Sequence, residues 1–158
     1  MSDENAALNR KKLFWIGVVA LFTAAMSASL RATVAGDIKA NVLDTLDLAQ
    51  SATMIAEALG VSFLGFAFTL FAGSPFLDII GMRRMLVIAG LCFLGGTSLV
   101  IFSGVFASGM DSYSMIWAGM LLSGVGWGCV EATINPMTTS LYPEDKTHRL
   151  NVLHAWWP

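Results

Sequence analysis

Four long apolar stretches constrain this chain more than any other feature of its sequence. They cover residues 13–33, 54–76, 85–107 and 115–141. Only three charged residues, Arg31, Glu57 and Glu131, interrupt them. A bilayer core of about 30 Å needs about 20 helical residues at about 1.5 Å each, and every stretch meets that length. The sequence therefore predicts an all-α, multi-pass transmembrane helix bundle with four spans.

The composition also indicates a lipid environment. Apolar residues make up 56% of the 158 residues, and charged residues only 13%. A soluble domain of this size could not enclose so much apolar surface, and a net charge of -2 gives no electrostatic attraction for nucleic acid. We therefore exclude disorder and nucleic-acid binding, and we expect the lipid bilayer to be the main partner. The sequence has no metal-ligand cluster, phosphate-binding loop or nucleophile motif, so we predict no enzyme, no cofactor and no metal.

The basic residues predict how the chain crosses the membrane. Seven of the nine Lys and Arg residues lie before the first span, between the second and third, or after the fourth: Arg10, Lys11, Lys12, Arg83, Arg84, Lys146 and Arg149. Because Lys and Arg near span ends resist translocation, we expect these segments to be cytoplasmic in a cell-membrane protein. Residues 1–12 then form a cytoplasmic N-terminal tail. A cleaved signal peptide fits less well, since the first apolar stretch exceeds the usual signal length.

Glu131 is the most informative single residue, because a carboxyl group inside lipid is costly unless it faces protein or water, or takes up a proton. One face of the fourth span carries it together with small, aromatic and polar residues: Gly124, Trp127, Gly128, Asn135, Thr138 and Thr139. We expect this face to line a cavity where Glu131 and Asn135 bind substrate and Glu131 exchanges a proton. Pro136 lacks an N–H, which predicts a helix kink beside Glu131 and a free carbonyl at Ala132. Alternatively, Glu131 is a structural hydrogen-bond donor and Pro136 only shapes the bundle.

Arg31 lies near the outer end of the first span and is a candidate ligand-binding cation. The alternative is that the Arg31 side chain snorkels to the outer headgroups. Snorkelling is also the alternative to a transport role for Glu57. Along straight helices Arg31 and Glu131 are about 20 Å apart in a core of about 30 Å, so we expect no direct salt bridge. The isolated His148 and His154 are assigned no role.

The connection between the second and third spans is short and charged. Its sequence over residues 73–84 is G-S-P-F-L-D-I-I-G-M-R-R. It resembles the signature G-x-L-a-D-r-x-G-r-r of the major facilitator superfamily, with Asp78, Gly81 and Arg83 in place. An acid and arginines in so short a turn can pair with one another and cap helix ends. We expect Asp78, Arg83 and Arg84 to form a cytoplasmic gating latch that opens as the protein changes conformation.

The fourth span carries a second resemblance. Residues 126–136 are G-W-G-C-V-E-A-T-I-N-P, followed by P-E at 143–144 and R-L-N at 149–151. This is similar to the fucose-proton symporter branch of the same superfamily, whose pattern is G-x-G-C-x-E-x-x-x-N-P. The resemblance implies that Glu131 takes part in sugar binding and proton coupling. The branch also has a carboxylate and asparagines late in its first helix, where this chain has Ser27, Ser29 and Arg31.

The superfamily folds as twelve helices in two halves, with the site at the midplane between them. The resemblance implies that residues 13–158 are an N-terminal portion of such a transporter domain. A fifth span begins at about residue 150 and is cut at Pro158. The expected partners of this portion are therefore the C-terminal helices of the full-length carrier, which this sequence lacks. The predicted function is proton-coupled transport of a small polar solute by alternating access. Sugars are the first candidates for the solute. The alternative is a non-transporting four-span scaffold or a bundle that binds partner proteins.

Overall fold

The structure is a computed structural model that describes residues 3–156, with side chains from Asn9 onward except at Ser74. This part of the chain forms six α-helices and one π-helical turn. They are α1 (Asp3–Ile38), the π-helical turn (Lys39–Leu43), α2 (Asp44–Leu46), α3 (Ser51–Ile80), α4 (Met82–Phe106), α5 (Met110–Leu141) and α6 (Lys146–His154). The last two residues of the predicted fifth segment, Trp157 and Pro158, lie outside the described residues.

Four segments are long and apolar enough to cross a bilayer. They are Asn9–Leu46, Ser51–Gly73, Met82–Phe106 and Met110–Leu141. This confirms the predicted all-α bundle with four spans. The first helix is longer than its predicted span, because α1 already begins at Asp3 and no Gly or Pro interrupts its first turns. Residues 3–12 of the predicted tail are therefore helical.

The central helix of the bundle is α5, which packs between α3 and α4 and also against α1. Glycines on α5 permit this close approach. A Cβ added at Gly128 would lie 2.7 Å from the carbonyl oxygen of Phe66 in α3, and one added at Gly119 would lie 2.6 Å from a carbonyl oxygen of α4. Gly124 faces the α3 backbone at Ser62 at still closer range. Side chains at these positions would force the helices apart, as is usual for small residues between membrane helices.

Two clusters of buried side chains fill the bundle. The larger cluster contains Phe14, Val18, Leu21, Ala24, Leu77, Met85, Ala89, Phe93, Cys129, Val130, Ala132, Ile134, Met137, Tyr142 and Leu153. The smaller cluster contains Leu43, Met54, Ala58, Val61, Ile116 and Met120. Val130 and Ala132, the neighbours of Glu131, belong to the larger cluster, so the backbone that carries this carboxyl group is packed on both sides.

Large apolar side chains also cover the outside of the bundle. Phe71 is 85% exposed, and Ile79 and Phe106 are each 75% exposed. In water such a surface would cost about 25 cal/mol per Å² of apolar area, whereas contact with lipid tails removes this cost. The outer surface therefore suits a bilayer.

Candidate functional site

Three polar side chains form a hydrogen-bonded chain across α5 and α6. Glu131 is half-buried and lies about 15 Å along α5 from Leu141. Asn135 donates from Nδ2 to Oε2 of Glu131 at 3.0 Å and to the backbone oxygen of Glu131 at 3.2 Å. The Oδ1 atom of Asn135 lies 2.9 Å from Nε2 of His154. We call Glu131, Asn135 and His154 the polar chain.

The local backbone around the polar chain is helical throughout. Pro136 lies inside α5, which continues to Leu141. Its missing N–H leaves the carbonyl of Ala132 without the usual donor, and the carbonyl of Pro136 itself accepts a hydrogen bond from Thr139 Oγ1 at 3.0 Å. The kink at Pro136 stays a prediction.

The prediction that the Glu131 face lines a cavity is wrong for the part of that face at Gly124, Trp127 and Gly128. Gly124 and Gly128 are buried against the backbone of α3. Trp127 stacks on Phe66, with ring centroids 4.1 Å apart and ring planes at 27°. Because glycine has no side chain, α3 comes close enough to occupy the space that a cavity would need. This part of the face is therefore a helix contact, and the half-buried Glu131 lies beyond it.

Arg31 lies at a different site from the polar chain. Its half-buried guanidinium donates from Nη1 to Oγ of Ser27 at 2.9 Å. Both residues line a cleft of about 390 Å³ between α1, α4 and α5, together with Thr97 and Ser123. Glu131 does not line this cleft, and no ion pair within the described residues joins it to Arg31. The structure therefore separates two of the predicted site residues.

Glu57 has a protein partner near the N-terminal end of α3. The hydroxyl group of Tyr113 donates to its Oε2 at 2.9 Å, which joins α3 to α5. Glu57 itself is exposed, and its snorkelling stays a prediction.

The predicted gating residues surround a one-residue turn between α3 and α4. Gly81 has φ +84°, in the left-handed region that favours glycine, and its N–H donates to the carbonyl of Leu77 at 2.7 Å. Asp78, Arg83 and Arg84 are exposed. None of the ion pairs between residues that the structure describes includes them, so their pairing as a latch stays a prediction.

Charged contacts at the same end of the bundle are made instead by a basic clasp, formed by Arg10, Tyr142, Glu144 and Arg149. Nη1 of Arg10 lies 3.1 Å from Oε1 of Glu144 and donates to the carbonyl of Leu141 at 3.1 Å. The guanidinium carbons of Arg10 and Arg149 lie 4.9 Å and 4.5 Å from the centroid of the Tyr142 ring. The basic clasp ties the start of α1 to the loop between α5 and α6.

His154 is the residue of the polar chain that the sequence prediction missed. No periodicity links it to Asn135, because the two lie on different helices. The sequence carries one weaker signal. In two antiparallel helices joined by a short loop, residues at similar distances from that loop lie at similar depth, and this applies to Asn135 and His154. Asn135 lies about 9 Å from the end of α5 at Leu141, and His154 lies about 12 Å from the start of α6 at Lys146.

The described residues contain no group of three or more His, Cys, Asp and Glu that could hold a metal ion. Cys92 and Cys129 are both free thiols. The chemistry that the polar chain offers is therefore hydrogen bonding and proton exchange by a carboxylate, an amide and an imidazole.

A family model described as the Major Facilitator Superfamily matches residues 4–156. Searches of curated proteins and of solved structures give no match. The matched range contains the four spans, the polar chain and the turn between α3 and α4. Members of this family are transporters rather than enzymes. The chain therefore belongs to the Major Facilitator Superfamily and is a multi-pass membrane transporter that lies in lipid and binds a small-molecule substrate.

Proposed function

We propose that the chain is the N-terminal portion of a proton-coupled carrier for a small polar solute, with sugars first, and that Glu131 is the coupling group. The carrier lies in the cell membrane with its N-terminus in the cytoplasm and works by alternating access. Membership of the family supports transport in general. The surroundings of Glu131 support the proton coupling.

The observation that carries this proposal is the neutral partner of the Glu131 carboxylate. Its hydrogen-bond partner is the amide of Asn135, and no ion pair within the described residues includes it. A carboxylate paired with a cation would lose that pairing on taking up a proton, which favours the ionised state. A carboxylate bonded to an amide gains or loses a proton without breaking an ion pair. Glu131 is therefore suited to exchange a proton during transport.

The polar chain also supports a solute rich in hydroxyl groups. Carboxylate oxygens and neutral imidazole nitrogens accept hydrogen bonds from hydroxyl donors, and an amide both donates and accepts. Such a set of groups fits a sugar, in agreement with the resemblance of residues 126–136 to the fucose-proton symporter branch. Asp78, Arg83 and Arg84 gate the carrier in this proposal, since their exposed charges are available to pair with helices that move during transport.

The test is Glu131→Gln in the complete carrier, reconstituted in proteoliposomes with an inward proton gradient and tritiated L-fucose outside. For one proton per solute, a gradient of about one pH unit supports an about tenfold concentration ratio. We expect the wild type to approach that ratio and the variant to reach only equilibration, because glutamine cannot exchange a proton. Counterflow exchange continues in the variant, since it needs no net proton movement.

The matched control is Glu57→Gln. It removes the other glutamate of the spans, which is bonded to Tyr113 near the N-terminal end of α3. We expect this variant to accumulate solute as the wild type does. Undiminished accumulation by Glu131→Gln would contradict the proposal.

A further inference from the structure

We infer that His154 is a positioning residue for Glu131, which acts by holding the Asn135 amide against the Glu131 carboxylate. The orientation of this amide follows from the hydrogen bonds of the polar chain, whereas the effect of His154 on transport rests on the proposed function of Glu131.

The chemistry of the three side chains determines which atoms of the polar chain donate hydrogen bonds and which accept them. An ionised carboxylate and a backbone carbonyl only accept hydrogen bonds, so the side of Asn135 that faces both oxygens of Glu131 must be Nδ2. Its Oδ1 then points to α6, where it needs a donor. Nε2 of His154, at 2.9 Å, is that donor and must therefore carry a hydrogen. The opposite amide orientation would place three acceptor oxygens against one another.

The position of His154 is set by its neighbours in the chain. Leu153 is fully buried in the larger cluster. Trp156 meets Trp15 of α1 edge to face, with ring centroids 6.1 Å apart. These two anchors hold α6 against the bundle on either side of residue 154. The imidazole therefore reaches Asn135 from a backbone that is held in place, while the ring itself stays exposed.

Without His154, Oδ1 of Asn135 loses its partner on α6, and the Asn135 side chain loses its tether to that helix. The side chain can then swing away from Glu131, so the carboxylate loses a donor for part of the time. A mobile amide therefore disturbs the group on which coupling depends.

The orientation is tested by nuclear magnetic resonance on the full 158-residue chain in lipid nanodiscs, labelled with ¹⁵N-histidine. The chain has two histidines, so His154 and the exposed His148 give two sets of ring signals, which His148→Leu assigns. Above the pH at which imidazoles titrate, we expect His154 to be held as the Nε2–H tautomer while His148 averages between tautomers. In Asn135→Leu the His154 signals should change to the averaged pattern. Averaged His154 signals in the wild type would overturn the inference.

The effect on Glu131 is tested by transport of tritiated L-fucose in the complete carrier. We expect His154→Leu to reduce the initial rate of proton-driven uptake about fivefold, the factor that corresponds to losing one hydrogen bond of about 1 kcal/mol. His154→Gln should restore most of this rate, because a glutamine N–H can donate to Asn135 in place of the imidazole. His148→Leu on the same helix is the matched control and should leave the uptake rate unchanged.

The two proposals fail in different ways. If Glu131→Gln abolishes accumulation while His154→Leu behaves like His148→Leu, the inference on His154 is overturned and the proposed function stands. If Glu131→Gln has no effect, the proposed function fails, and the ¹⁵N signals alone then decide the orientation of Asn135. Equal losses in His154→Leu and His154→Gln would also overturn the inference, since the conservative variant keeps the donor.

Discussion

Replacing Gly128 with alanine tests whether α5 packs against α3 as closely as the structure shows. The added Cβ would lie 2.7 Å from the carbonyl oxygen of Phe66 and 2.7 Å from Cβ of Thr69. One neighbour is a backbone atom and the other is the first atom of a side chain, so neither moves unless α3 moves. We therefore expect the alanine to push the two helices apart.

Two opposing effects set the change in stability. Overpacking a well-packed contact costs about 1–3 kcal/mol, whereas alanine in place of glycine within a helix gains about 0.5–1 kcal/mol. The cost of overpacking exceeds the gain in helix propensity. The central values leave a net loss of about 1.2 kcal/mol. At about 2–4 °C per kcal/mol for a chain of this size, we expect the midpoint of thermal unfolding to fall by about 2–5 °C.

Gly90 on α4 supplies the matched control, because a Cβ added there meets nothing within 4 Å. Gly90→Ala therefore keeps the gain in helix propensity without the overpacking cost. We expect its unfolding midpoint to rise by about 1–4 °C.

The assay uses a thiol-reactive fluorophore during heating in detergent. Cys92, which is a partly buried free thiol, is first replaced in all variants by Cys92→Ala. The signal then comes from Cys129, which is only 3% exposed in the folded chain and reacts when the bundle opens. A midpoint for Gly128→Ala at or above that of the wild type would refute the close contact between α3 and α5. If Gly90→Ala lowers the unfolding midpoint by the same amount, the loss in Gly128→Ala is caused by alanine in general and not by this contact.

The remaining predictions concern the basic clasp and the turn between α3 and α4. Tyr142→Leu removes the ring contacted by Arg10 and Arg149, and at about 0.5–1 kcal/mol per cation–π contact we expect a loss of about 1–2 kcal/mol, read as a lower midpoint in the thiol assay. Glu144→Gln removes only the ion pair with Arg10 and should cost less than about 1 kcal/mol, because both side chains are about half-exposed; a larger loss would mean the pair is shielded from water. Asp78→Asn should change stability by less than about 0.5 kcal/mol, since Asp78 is exposed, while proton-driven accumulation falls; unchanged accumulation would contradict its gating role.

The spans are predictable from sequence because a bilayer imposes both a length and an apolar composition on any helix that crosses it. Helix ends are less predictable. The first span continues well past residue 33 and passes into a π-helical turn that ends at Leu43, where Lys39 pairs with Asp44 at 2.8 Å. Hydropathy does not predict where such helices end, because polar residues outside the hydrocarbon also form helices.

The site is predictable only where its residues lie on one helix. Glu131 and Asn135 are four residues apart, and helical geometry alone places them on one face, where the structure shows them bonded. The same geometry places Gly124 and Gly128 on that face, but it does not show that α3 packs there and fills the expected cavity.

By itself, the sequence determined that the chain forms apolar helices of membrane length, because hydrogen bonding and hydrophobicity act on each segment separately. Only the tertiary structure decided that α5 is central and that His154 joins Asn135. Those outcomes depend on which helices become neighbours and at what depth. Packing between segments sets both, and no single segment contains that information.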